Sequence, residues 1–107
     1  MSAWKDSAGS TEPLARAARL LAIRGRTKEA RTILDQLIAV SKERYVPPYN
    51  LAIVYEGLHE DARAIALLQR AVRERDVRLT FLKVEPLWSR LLADTRMSGV
   101  KERIGLP

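Results

Sequence analysis

The sequence predicts an all-α chain. Antiparallel helix-turn-helix pairs repeat every 34 residues, stack as a short right-handed α-solenoid and end in a C-terminal helical cap. Three observations carry this. Apolar residues recur at spacings of three and four over four stretches between Thr11 and Asp76. Pro, Gly and Thr stand where those stretches begin or end. Finally, the two helix pairs align at an offset of 34: Ala18 with Ala52, Leu21 with Tyr55, Gly25 with His59, Ala30 with Ala64, Leu34 with Leu68, and Leu37 with Ala71.

Each element has its own warrant. Residues 1–10 are small and polar without periodicity, and read as a flexible leader carrying the isolated Trp4. Thr11-Glu12-Pro13 offers a capping hydroxyl, an acid for the first turn, and a proline where no N–H is needed. The first helix runs to Ile23 and stops at Gly25. Thr27 opens the second, whose inward stripe is Ala30, Ile33, Leu34, Leu37 and Ile38, and Lys42 and Arg44 favour its C-terminal dipole. Val46-Pro47-Pro48 interrupts the pattern. A third helix spans Pro48 to Gly57 with Leu51, Ala52 and Tyr55 inward, and a fourth spans Glu60 to Asp76 with Ala64, Ile65, Leu68, Ala71 and Val72 inward. Leu79, Phe81, Leu82 and Val84 then form a short helix or an extended piece. Pro86 starts another element carrying Trp88, Leu91 and Leu92, and Asp94 caps a last helix through Met97, Val100 and Ile104, ended by Gly105. The expected divisions are a leader at 1–10, units at 11–44 and 45–78, and a partial third unit or cap at 79–107, with Trp88, Phe81 and Leu91 in the core of that cap.

Composition excludes much chemistry. The 107 residues contain no Cys and one His, so thiolate metal sites, disulfides and a Ser-His-Asp arrangement have few or no residues to use. Asp94, Glu85 and Glu102 are not placed as an acid–base pair, and Gly25-Arg26-Thr27 lacks the glycines and lysine of a phosphate-binding loop. The expectation is a non-enzyme without cofactor or metal. No run of 18 apolar residues exists, and no signal peptide precedes Ser10, so a cytoplasmic location without membrane insertion is expected. The net charge of +6 and pI of 10.2 tilt the partner towards acidic. The charge is diffuse, with nine Lys/Arg and five Asp/Glu in residues 1–53 against ten and eight in residues 54–107. Arg63, Arg70, Arg73, Arg75 and Arg78 read as a solvated face.

The residues in register have a shared physical role. Ala52 and Ala64 stand where two helices of a unit cross, Ala71 where the next unit packs, and Tyr55 and Leu68 fill the space between. This 34-residue pattern resembles the tetratricopeptide repeat, with Ala18, Leu21, Gly25, Ala30 and Leu34 as the corresponding positions of the first unit. Arg44-Tyr45-Val46-Pro47-Pro48-Tyr49-Asn50-Leu51-Ala52-Ile53-Val54-Tyr55, then Leu82-Lys83-Val84-Glu85-Pro86 and Gly105-Leu106-Pro107, resemble the C-terminal tetratricopeptide segments of bacterial multidomain signalling proteins: Ser/Thr kinases, winged-helix regulators and nucleotide cyclases. The sequence departs from the general repeat pattern at Pro48 and His59, and from the signalling-protein segments at Arg90 and Asp94-Thr95.

The resemblance implies a protein-interaction module that docks a peptide or partner domain on the concave surface of its first helices. By position that surface carries Ala15, Arg16, Arg19 and Ile23 from the first unit, and Tyr49, Asn50, Ile53 and Glu56 from the second. Arg16, Arg19 and Asn50 would hold an acidic peptide or a terminal carboxylate. The alternatives are a basic nucleic-acid-associated helical protein, which the diffuse charge disfavours, and a self-associating structural module. In the latter, Leu14, Ala17, Ala18 and Leu21 form an exposed first-unit face, so a monomer or a weak homo-oligomer is expected.

Overall fold

A computed structural model of the chain describes residues 11–106. The expected leader, Trp4 and the final Pro107 lie outside the described residues. The described chain is helical throughout and contains no strand. Four longer helices come first: α1 (Glu12–Ile23), α2 (Thr27–Ser41), α3 (Pro48–Gly57) and α4 (Asp61–Arg73). A 3-10 helix (Val77–Lys83) follows. A 3-10 turn (Pro86–Trp88) then runs into α5 (Ser89–Leu92), and another (Thr95–Met97) into α6 (Ser98–Arg103). None of these helices is long and apolar enough to cross a membrane.

Three-residue turns fold α1 back on α2 and α3 back on α4. α1 also lies along α3, so α3 is the central element. Its sequence is apolar on nearly every side, as a helix enclosed by neighbours requires, and every residue in it except Tyr55 is buried. The alanines at the crossings, Ala18, Ala30, Ala52, Ala64 and Ala71, have no exposed surface. Leu34 and Leu68 fill the core beside them, while Tyr55 is half-buried under the guanidinium of Arg63, 5.9 Å from its ring centre. Leu21 and Leu14 are half-buried and Ala17 is exposed. Ala18, expected on an open first-unit face, is instead enclosed.

The helix ends repeat one device. After α1, the N–H groups of Arg24, Gly25 and Arg26 donate to the carbonyls of Leu20, Ala22 and Leu21. After α3, Leu58, His59 and Glu60 donate to Val54, Glu56 and Tyr55 in the same way. The middle residue is left-handed in each case, with φ 83° at Gly25 and 59° at His59. The same closure ends α4 at Arg75 (φ 57°) and α6 at Gly105 (φ 82°). A side chain in this conformation costs roughly 1–2 kcal/mol, against roughly 0.5–1 kcal/mol for the extra freedom glycine loses on folding. His59→Gly is therefore expected to stabilise the fold by about 0.5–1 kcal/mol, read as a higher Tm in thermal denaturation. A lower Tm would mean that this cap does not form.

Two local expectations need correcting. Thr11 precedes α1, but its hydroxyl does not cap it; Oγ1 accepts from Asn50 Nδ2 at 3.0 Å instead, tying the start of α1 to α3. The segment after Asp76 takes the short-helix alternative, as a 3-10 helix, but its inward residues are not all those expected. With three residues per 3-10 turn, Leu79 and Leu82 share the inward column and are buried. Phe81 falls in the next column and is 45% exposed, so it is not the core residue expected. Trp88 and Leu91 are fully buried, and Asp94 does cap the turn behind it. Bonds from the Arg96 side chain and backbone N–H pull the Asp94 carboxyl down to about 2.

Candidate functional site

The face that α1 and α3 share is covered by the chain's own residues 81–90. Arg16 stands on α1 with its guanidinium fork directed at Glu85: Nη1 and Nη2 donate to Oε2 and Oε1, each at 2.9 Å, and Nε donates to Glu12 at 2.8 Å. Tyr49, on α3, donates its hydroxyl to Glu85 Oε1 at 2.8 Å and accepts the indole N–H of Trp88 at 2.9 Å. Its ring packs against Trp88 (5.3 Å between centres) and edge-on to Phe81 (6.4 Å). One carboxylate thus takes three charge-assisted or hydroxyl donors from two helices, 69 residues from Arg16 in sequence.

A second ion cluster lies further along α3. Arg19 Nε donates to Glu56 Oε1 at 2.6 Å, while Arg90 from α5 donates to the Glu56 carbonyl at 3.1 Å and to Oε2 at 3.3 Å. The other arm of Arg90 pairs with Asp61 at the start of α4. Arg90 stands where the resemblance leads one to expect proline, and it joins three elements through its fork.

Sequence position therefore located these residues but not their environment. Of the eight expected on an open concave surface, Ala15, Tyr49, Asn50, Ile53 and Glu56 are buried, Arg16 and Arg19 are half-buried, and Ile23 is 53% exposed. The reason is the segment 81–90, whose Glu85, Trp88 and Arg90 occupy that face. Glu85 falls in the Leu82–Pro86 stretch that carries the resemblance and Arg90 is a departure from it, but nothing in either position signals a contact with α1 or α3.

The charges are tuned by these contacts. The Arg16 guanidinium holds the Glu85 carboxyl below its usual range, against the opposing effect of burial, with the Tyr49 hydroxyl lowering it further. Burial, then the bond to Glu85, pushes the Tyr49 phenol well up. With the folded pKa of Glu85 below the unfolded value of about 4.3, the folded state binds fewer protons. Its contribution to stability is present above about pH 4.3 and is lost as pH falls through the folded pKa. Urea titrations at pH 7 and pH 3 are expected to show a smaller loss of stability in Glu85→Gln than in the parent chain. Equal losses would mean that Glu85 does not hold Arg16 in solution.

Among the described residues, no group of three or more His, Asp or Glu comes together as a metal-ligand set, and His59 lies exposed in its turn. No family profile, no curated protein and no solved structure matches the chain.

Proposed function

We propose that the chain is a protein-interaction module of the tetratricopeptide type, with units at 11–44, 45–78 and a degenerate third at 79–107, and with no catalysis of its own. The observation that carries this reading is the recurrence, 34 residues apart, of the three capping hydrogen bonds after α1 and after α3, together with enclosed alanines at the helix crossings. Two hairpins built alike and laid side by side are what a right-handed stack of such units needs. The carboxylate grip expected of Arg16 is used within the chain, on Glu85. Docking is therefore assigned to the part of the same face that remains open, where Ile23 and Leu20 are exposed at the end of α1 beside Arg19.

A photo-crosslinking residue introduced at Ile23, compared with one at Lys42 on the exposed end of α2, tests this in cells of the source. The expected result is a discrete protein adduct from position 23 and none from position 42. Identical adduct patterns from both positions, or none from position 23, would remove the reading.

A further inference from the structure

Of the cations that the fold leaves without a carboxylate, three lie together. Most arginines are neutralised locally: Arg16, Arg19, Arg26, Arg31, Arg63, Arg70, Arg78, Arg90 and Arg96 each have a carboxylate within ion-pair distance. Arg75, Lys83 and Arg103 have none among the described residues. These three line one groove of about 450 Å³, where the ends of α4 and α6 meet the 3-10 helix Val77–Lys83. Val72, Leu79 and Ile104 supply its apolar lining.

Arg75 holds the left-handed position (φ 57°) that glycine fills at the equivalent ends of α1 and α6 and His59 at that of α3.

We propose that this groove binds an acidic peptide segment of a partner protein, seating one aliphatic side chain on Val72, Leu79 and Ile104 and placing carboxylates against Arg75, Lys83 and Arg103. Asp76 also lines the groove, with 3% of its side chain exposed and one oxygen held by the Arg78 N–H and guanidinium. Asp76 is already paired with Arg78; the apolar lining of Val72, Leu79 and Ile104 is what favours a peptide, which can seat an aliphatic side chain between its carboxylates as a phosphodiester backbone cannot. The cations focus an acidic ligand from solution, and the Arg forks match carboxylate geometry. The site lies apart from the face of α1 assigned above and uses none of its residues, so either can fail without the other.

The test uses the full chain and a fluorescein-labelled octapeptide, Glu-Glu-Leu-Glu-Glu-Leu-Glu-Glu, by fluorescence anisotropy at 50 mM and 150 mM salt. An unlabelled 20-nucleotide oligothymidylate and inorganic phosphate serve as competitors. Saturable binding is expected, weakened tenfold or more by Arg75→Gly and by the Lys83→Gln/Arg103→Gln double variant. Lys28→Gln, which removes one unpaired cation elsewhere, should change it less than twofold. Arg75→Gly should at the same time raise Tm, because it relieves the left-handed strain; lost binding in a more stable protein cannot be a folding defect. Should Arg75→Gly lower Tm, the double variant, with its Tm unchanged, decides alone. Absence of saturable binding at 50 mM salt would overturn the proposal. So would equal weakening by Lys28→Gln, which marks non-specific attraction, or tighter binding of the oligothymidylate or phosphate through the same residues.

Discussion

Trp88→Ala is expected to lower stability by about 3–5 kcal/mol, which is much of the roughly 5–15 kcal/mol that holds a domain of this size together. Trp88 has no exposed surface, and its ring packs 5.3 Å from that of Tyr49. Truncation removes the transfer free energy of a large aromatic and leaves a cavity lined by residues that α3 cannot move to fill. It also removes the N–H that Tyr49 accepts, in the middle of the chain Trp88–Tyr49–Glu85–Arg16. Loss of that network should loosen the segment 81–90 from α1 as well as from α3. Trp88→Phe separates the two effects: it keeps most of the volume and should cost less, with about 1 kcal/mol assignable to the lost hydrogen bond. Urea unfolding followed by far-ultraviolet circular dichroism measures both. A loss under 1 kcal/mol for Trp88→Ala would mean that residues 79–106 are not part of the cooperative core.

The second large effect is one substitution with opposite signs at two places. Alanine is favoured over glycine in a helix interior by about 1 kcal/mol. At Gly99, inside α6, an added Cβ meets nothing within 4 Å, so Gly99→Ala should stabilise by about 0.5–1 kcal/mol. At Gly57, the last residue of α3, the same Cβ would come within 2.8 Å of Arg19 Cγ, 3.0 Å of Arg19 Cα and 3.1 Å of its carbonyl oxygen. The Cγ can swing, but the Cα and carbonyl belong to the backbone of α1, so the two helices must separate. Overpacking of this kind costs roughly 1–3 kcal/mol, which exceeds the propensity gain. Gly57→Ala should also disturb the 2.6 Å Arg19–Glu56 pair beside the contact. Thermal denaturation should show Tm rising for Gly99→Ala and falling for Gly57→Ala. A rise for both would mean that α1 and α3 do not approach as closely as described.

The positions of α1 to α4 could be read from the sequence to within about three residues because each has apolar residues at helical spacing and turn residues between them. Gly57 was harder to read. The sequence places it at the end of the third helix and the turn at His59; the contact with α1 gives Gly57 its own role, and His59 takes the left-handed turn without a glycine's ease. The segment after Asp76 was read least well. Its apolar residues, Leu79, Phe81, Leu82 and Val84, fit more than one short structure, and only packing under α3 and α4 selects the three-residue turn that buries Leu79 and Leu82 and leaves Phe81 out. The candidate surface followed the same division. Counting along the first helices finds Arg16, Arg19, Tyr49 and Glu56, but not that Glu85 and Arg90 reach back from another part of the chain to occupy them.

By itself, then, the sequence determined the helical class and the small residues at the helix crossings. Those depend on local periodicity and side-chain size, both written along the chain. Tertiary structure alone decided which charges remain unpaired and which face stays open. Ion pairs such as Arg16–Glu85 and Arg90–Glu56 join residues 69 and 34 apart, and a charge is silent or available according to what folds beside it. After that pairing, three of the cations left without a carboxylate stand around one groove.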